Sequence, residues 1–332
     1  MKKITIISAC VILLIAIAGG LFLFGQFQNQ SLGTIKYGYQ DWPGVLPYLI
    51  AYEKGFYKNR GLDVVLVKED SYVKELEDLI SGAIDFSGDV ALIDVVKRVS
   101  KGVNLSVVLA TDYSNGADGF VANSSVKSIT GLKGKNVSVE MDTLGEYLLY
   151  EALKKDNLKL TDIKEVNLSA QDAAQAFIDK KVDAAVSYGP NLSRAVTDGD
   201  GAILYSSANS PGLIIDVLAF RSDFVKNNPA KVSAVVGAYA DAMDFIEKNP
   251  GDAYTIGAKY FGISVEALTG QLKGIKLMSI SENMDLMSFG SGKDSIHGLI
   301  NNAYDFLKLK GDIVGDIDTT EIVDHSYVRG IM

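Results

Sequence analysis

Seven carboxylates stand in the short polar segments that interrupt the apolar runs of this chain. They are Asp41, Asp89, Asp112, Glu140, Asp142, Glu146 and Asp216, and the segments are 38–47, 87–90, 111–117, 140–147, 188–191 and 211–216. None of these segments contains a lysine or an arginine. Carboxylates in that setting can pair with an amine or accept hydrogen bonds. An anion among them would depend on helix N-termini and backbone N–H groups, each terminus carrying roughly half a positive charge. Trp42, the only tryptophan, follows Gln40 and Asp41 and precedes Pro43. Its ring can stack on a flat molecule or fill a packing gap. Tyr113 and Tyr188 offer the same two uses.

Each remaining candidate has a local alternative. Asp41 can form a turn, and Gln40 can be an ordinary loop residue. Ser87 and Asp89 share one segment, and Asp89 can instead cap the helix that follows. Asp112 lies beside Tyr113. Thr143-x-x-Glu146 fits a capping box, which would make Glu146 structural and leave Asp142, Thr143 and Leu144 to line a site. Asp216 opens a strand and can serve in an ion pair or hinge.

Catalysis by the usual constellations finds little support. There is one cysteine, Cys10, and there are two histidines, His297 and His325. No disulfide within the chain and no cysteine-based zinc site can be built. The chain holds no G-x-G-x-x-G, G-x-S-x-G or H-E-x-x-H. Gly292-Lys293 fails as a phosphate loop because Asp294 and Met287 stand where Ser/Thr and Gly are needed. No cofactor is expected. The formal net charge of −9 argues against nucleic-acid binding.

The elements that must position these residues alternate. Strands are expected at 35–39, 62–67, 84–86 and 105–111, with helices at 48–55, 74–82 and 91–100. After Asn115-Gly116 the pattern restarts, with strands at 119–122, 136–140, 165–168, 183–187, 202–206 and 214–220. Helices are expected there at 143–155, 171–180 and 191–198. From Asn228 onward the spacing is nearly all helical. This βαβ rhythm predicts an α/β protein of two parallel-sheet halves and a helical tail. The divisions expected are 1–30 (signal or anchor), 31–115 (lobe 1), 116–211 (lobe 2) and 212–332 (return to lobe 1). Crossovers are expected near 112–119 and 207–216. In such sheets ligands sit off the carboxyl ends of the strands, and a cleft between lobes is a preferred small-molecule site.

Lys2 and Lys3 precede an apolar stretch at 4–25, long enough to match the roughly 20 residues that span a bilayer. An uncleaved membrane anchor is the favoured reading, with the bulk of the chain extracytoplasmic. Cleavage after Ala16-Ile17-Ala18 or lipidation at Ile7-Ser8-Ala9-Cys10 are alternatives. Setting Lys2 and Lys3 aside takes the net charge of the remainder to −11.

Several motifs are similar to one family. Gly55-Phe56-Tyr57 and Gly61-Leu62-Asp63-Val64 resemble the opening of solute-binding proteins of ABC importers, of the sulfonate, nitrate, taurine and thiamine-pyrimidine-precursor type. Asp85-Phe86-Ser87-Gly88, Leu132-Lys133-Gly134-Lys135-Asn136-Val137 and Val182-Asp183-Ala184-Ala185-Val186 with Pro190 follow in the family's order. Tyr188-Gly189-Pro190 departs from the family's Trp-x-Pro. The resemblance implies a two-lobed periplasmic-binding-protein type II (Venus-flytrap) fold. It also implies capture of a small molecule for an importer permease. The acids favour a neutral or amine-bearing ligand, with a sulfonate-like anion second. A membrane-tethered sensor is the first alternative. A thiamine-pyrimidine-precursor synthase is the second, weakened by the lack of cysteine and histidine clusters.

Overall fold

The computed structural model describes residues 31–288, 292, 295–313, 318 and 320–331. The expected anchor at 4–25 lies outside the described residues. Among the described residues no helix is long and apolar enough to cross a membrane.

Two sheets organise the molecule. The first contains β1 (Gly33–Tyr39), β2 (Leu62–Lys68), β3 (Phe86–Ala91) and β4 (Leu105–Ser114). The second contains β5 (Asp118–Ala122), β6 (Asn136–Val139), β7 (Lys164–Asn167), β8 (Ala184–Tyr188) and β9 (Ala202–Ser206). The chain then returns to the first sheet as β10 (Ile215–Arg221) and β11 (Ile275–Leu277). Strand orders are β11-β4-β10-β3-β1-β2 and β7-β6-β8-β5-β9.

The sheets are mixed rather than parallel. β1 runs parallel to β2 and β3, and β6 runs parallel to β7 and β8. β10 is antiparallel to both β3 and β4, and β5 is antiparallel to β8 and β9. The reason is topological. A strand that returns from the other lobe enters between two existing strands from the opposite end. Local periodicity carries no signal for that direction.

The first lobe is held by a buried aromatic column. Phe86 of β3 stacks on Tyr37 of β1 at 4.8 Å and on Phe220 of β10 at 5.4 Å between ring centroids. Tyr48, from helix Leu46–Glu53, lies 5.2 Å from Tyr37 and 5.2 Å from Tyr239. Tyr239 is on helix Pro229–Lys248, and its hydroxyl donates toward the carbonyls of Thr111 (2.9 Å) and Met278 (2.7 Å). Three sheet-borne rings and two helix-borne rings therefore fix the helices against the strands. The second lobe has a smaller core around Phe177, Val121, Ala185 and Leu192.

Helix boundaries follow local chemistry. Ser71 caps helix Tyr72–Ser81 by accepting from the Lys74 N–H at 3.2 Å, and Gly82 ends it with φ of 84°. Such a conformation costs a glycine nothing. The strand expected at 84–86 instead runs from Phe86 to Ala91. Ser87, Gly88 and Asp89 read as a turn in sequence, yet they are buried strand residues.

Candidate functional site

The two sheets face each other across a narrow gap near the crossovers. One crossover is 115–117, between β4 and β5; the other is 207–214, between β9 and β10. Backbone N–H groups of Asn115 and Ala117 donate to the Gly274 carbonyl at 2.7 and 3.1 Å. The Gly116 N–H donates to Ser207 Oγ at 2.7 Å, and Ser207 Oγ lies 2.6 Å from Ser114 Oγ. The two strands of chain are thereby tied to each other.

A cavity of about 20 Å³ opens beside them. Gln40, Trp42, Asp89, Ile214 and Asp216 line it from the first lobe's side, together with Tyr72. Asp118, Leu144 and Tyr188 line it from the second. A second recess of about 10 Å³ shares Tyr72, Asp118, Leu144 and Tyr188, and adds Glu140, Thr143 and Ser187. Among the described residues, no lysine or arginine lines either space.

Strand register explains the grouping. Asp118 lies opposite Tyr188 in the β5–β8 pair, so both side chains project from the same face. Asp216 lies opposite Asp112 in the β10–β4 pair. Two carboxylates facing each other across strands repel when both are charged. Asp112 is steadied by the Trp42 indole, which donates to Oδ2 at 3.2 Å. That contact needs a glycine next to it. A Cβ on Gly44 would fall 1.9 Å from Asp112 Oδ2 and 2.4 Å from Trp42 Nε1. Trp42 also meets Tyr188 edge-on at 5.9 Å, and Tyr188 Oη donates to Gln40 Oε1 at 3.1 Å. Both contacts join one lobe to the other.

Burial dominates the electrostatics. It pushes the Asp112 carboxyl up to about 8, with Asp118 and Asp89 adding repulsion against the indole's opposing hydrogen bond. Asp118 and Glu140 are each pushed up to about 7 by burial. Asp216 is raised well above the carboxylate range by burial and then by Asp112, Asp118, Asp89 and Asp94. Glu75 and Asp89 form a buried acid pair joined through Ser87, whose hydroxyl lies 2.5 Å from Glu75 Oε1 and 2.9 Å from Asp89 Oδ1. Burial raises both members. One buried oxygen each of Asp89, Asp112, Asp118 and Asp216 has no hydrogen-bond partner.

The other expected residues lie elsewhere. Asp41 is half-exposed and pairs with Lys68 at 2.8 Å. Tyr113 lines a larger recess of about 730 Å³ with Leu92, Tyr147 and Leu213, and Lys276 lies over its ring at 5.7 Å. Asp142 belongs to an ion-pair seam between the lobes. Lys97, from helix Leu92–Ser100, reaches Asp142 at 2.7 Å and Asp312 at 3.4 Å. Lys310, at the end of helix Ile296–Lys310, reaches Asp142 at 3.0 Å and Glu146 at 2.5 Å. The Lys97 hydrogen bond comes first in holding the Asp142 carboxyl well below its usual range. The acidic segments do carry no cations of their own, but two helices from the first lobe's side bring them in.

The expected capping box is only half formed. Thr143 caps helix Leu144–Lys155 by accepting from the Gly145 N–H at 3.3 Å, while Glu146 accepts from the Asp142 N–H at 2.6 Å. Asp89 caps no helix: helix Leu92–Ser100 starts after Ala91, which has no capping side chain. Sequence reasoning missed Asp118 and Tyr72. Asp118 stands one residue beyond the acidic segment 111–117, and Tyr72 lies just before the helix expected at 74–82, which in the structure begins at Tyr72. Its hydroxyl donates to Asp94 Oδ2 at 2.9 Å and accepts from the Ala91 N–H at 3.0 Å. Asp94 also accepts from the Leu144 N–H of the other lobe at 3.3 Å.

Two lobes joined by paired crossovers, with a lined gap between them, define the two-lobed periplasmic-binding-protein fold. The alkanesulfonate-binding protein SsuA from Xanthomonas axonopodis pv. citri, solved with bound MOPS, shares this fold. It has a TM-score of 0.72, covers 88% of this chain and 98% of its own, and is 18% identical. The chain belongs to the NMT1/THI5-like family, whose model matches residues 42–253. The taurine-binding periplasmic protein of Escherichia coli (strain K12) is 26% identical over 233 residues, covering 68% of this chain and 70% of that protein. A 4-amino-5-hydroxymethyl-2-methylpyrimidine phosphate synthase of Saccharomyces cerevisiae, THI11, is 22% identical over 236 residues, covering 67% of this chain and 68% of that one.

Proposed function

We propose that this protein is an extracytoplasmic solute-binding protein that closes two lobes on a small organic molecule and delivers it to the permease of an ABC importer. The observation that carries this reading is the cavity, which takes its walls from both lobes. Relatives named for binding taurine and alkanesulfonates support it. Residues 1–30 act as a membrane tether in this reading. The mechanism is capture without a chemical step. Ligand enters between open lobes, and closure adds contacts that only the closed state makes. Gln40, Trp42, Asp89, Tyr188 and Asp216 meet the ligand, with Thr143 and Leu144 at the recess behind. Ser87 and Asp112 hold these residues in place from behind.

The test is native mass spectrometry of the full chain purified without denaturation, followed by small-angle scattering of the stripped and reloaded protein. A retained small molecule, recovered unchanged, and a smaller radius of gyration on reloading are expected. Unchanged scattering on reloading refutes lobe closure, and a converted molecule refutes the non-catalytic reading. Fractionation of cells tests the tether, because a full chain found entirely in the soluble fraction overturns it.

A further inference from the structure

The walls of the inter-lobe cavity carry carboxyl groups with no cation beside them among the lining residues. Asp118, on β5 of one lobe, and Asp216, on β10 of the other, both line it. Their exposures are 3% and 5%, and Oδ2 of Asp118 and Oδ1 of Asp216 lack any hydrogen-bond partner. A buried carboxylate oxygen left unpaired is costly, and a cation placed beside it removes that cost. Lys97 and Lys310, the lysines of the ion-pair seam, are engaged by Asp142, Glu146 and Asp312.

The rest of the lining points the same way. Trp42, Tyr72 and Tyr188 are aromatic wall residues, and ring faces attract cations. Among the described residues no three acidic or histidine side chains are grouped to hold a metal ion, which directs the site toward an organic cation. The two spaces of about 20 and 10 Å³ share four wall residues, so they are parts of one gap that must widen to admit an organic molecule.

We propose that the solute is a small organic cation bearing an ammonium or amidinium group, held between Asp118 of one lobe and Asp216 of the other. The inference rests on the solute-binding reading and specifies its ligand. It also gives closure a cause. Each carboxylate belongs to a different lobe, so a cation between them is attracted to both and draws them together. A sulfonate group would meet the same oxygens with the wrong sign.

Trp42 is the only tryptophan and lies in the wall, so its fluorescence reports on the site directly. The full chain is titrated with propylammonium, acetamidinium, ethanesulfonate and taurine, by fluorescence and by calorimetry. Binding of propylammonium or acetamidinium without binding of ethanesulfonate is expected. Asp118→Asn and Asp216→Asn are each expected to weaken that binding at least tenfold, without lowering the melting temperature of the unliganded protein. The two variants sit in different lobes, so a folding failure of one leaves the other as the test. Binding of ethanesulfonate but neither cation overturns the cation assignment and leaves the solute-binding reading intact. Silence from every probe, or unchanged cation affinity in both variants, also overturns the assignment. The solute-binding reading then stands or falls on the retained molecule sought by mass spectrometry.

Discussion

A buried acid is a statement about pH. Asp112, Asp118 and Glu140 titrate near 8, 7 and 7 because burial disfavours their charge. In the unfolded chain they titrate near 4. The folded state therefore holds more protons between pH 4 and 8, so stability falls as pH rises through that window. The groups facing this cluster are Glu75, Asp89, Asp94 and Asp216, and the cations beside Asp94 are Arg98 and Lys97. Asp142 works in the opposite sense, but its stabilisation is lost only as pH falls below about 4. The unliganded protein is expected to melt at a higher temperature at pH 5 than at pH 8, and Asp118→Asn should flatten that slope. Thermal melts across pH 4.5–9 decide it, and a profile that is flat in the wild type contradicts the burial argument. At the same scale, Gly44→Ala forces a methyl group into the Trp42–Asp112 hydrogen bond. A shifted Trp42 emission spectrum with weakened ligand binding is expected.

Elements hold the site through two devices, a core and a seam. Phe86 is fully buried between Tyr37 and Phe220, so Phe86→Ala leaves a cavity beneath the strand that carries Ser87 and Asp89. A loss of about 3–5 kcal/mol is expected in denaturant unfolding. The seam is electrostatic. Glu146 has a side-chain exposure of 2% and depends on Lys310, which is 20% exposed. Lys310→Met strands that acid and removes one of the two lysines that reach Asp142. The cost is about 2 kcal/mol once partial exposure of the lysine is allowed for. Much of that cost can be escaped by parting the lobes. The variant is thus expected to show a larger radius of gyration than wild type without ligand, and an equal radius would mean that the seam does not hold the lobes together.

The whole molecule works as two bodies joined by two short crossings. Contacts across the gap include Tyr188 with Gln40 and Trp42, Asp94 with the Leu144 N–H, the lysine seam, and the rings of Tyr147 and Tyr150, each 4.6 Å from that of Phe306. Its polar bonds can be exchanged for water on opening, whereas the aromatic contact at Phe306 must be given up. Ligand binding should then depend on salt less than the seam does. The cavity is buried, whereas Asp142 is 63% exposed and open to screening. Raising salt is expected to expand the unliganded protein in scattering while leaving the liganded form compact.

Much of this molecule was already written in its residue pattern. Alternating apolar runs marked nearly every strand and helix, because burial of one face imposes a period of two or 3.6 wherever the chain folds. The ordered motifs around Gly55, Leu132 and Val182 carried the two-lobed fold and its family. The segments 38–47, 87–90 and 211–216 contained most of the first lobe's share of the cavity wall. Pairing was another matter. Nothing local says that β10 enters between β3 and β4, and that insertion is what sets Asp216 opposite Asp112. Nothing local separates Asp41 and Asp142, which found lysines, from Asp118, which found Tyr188 and a cavity. Residue types and spacing determined which elements form and which side chains could hold a solute. The tertiary structure decided which of those acids lost both water and cation, because burial and pairing are set by neighbours distant in the chain.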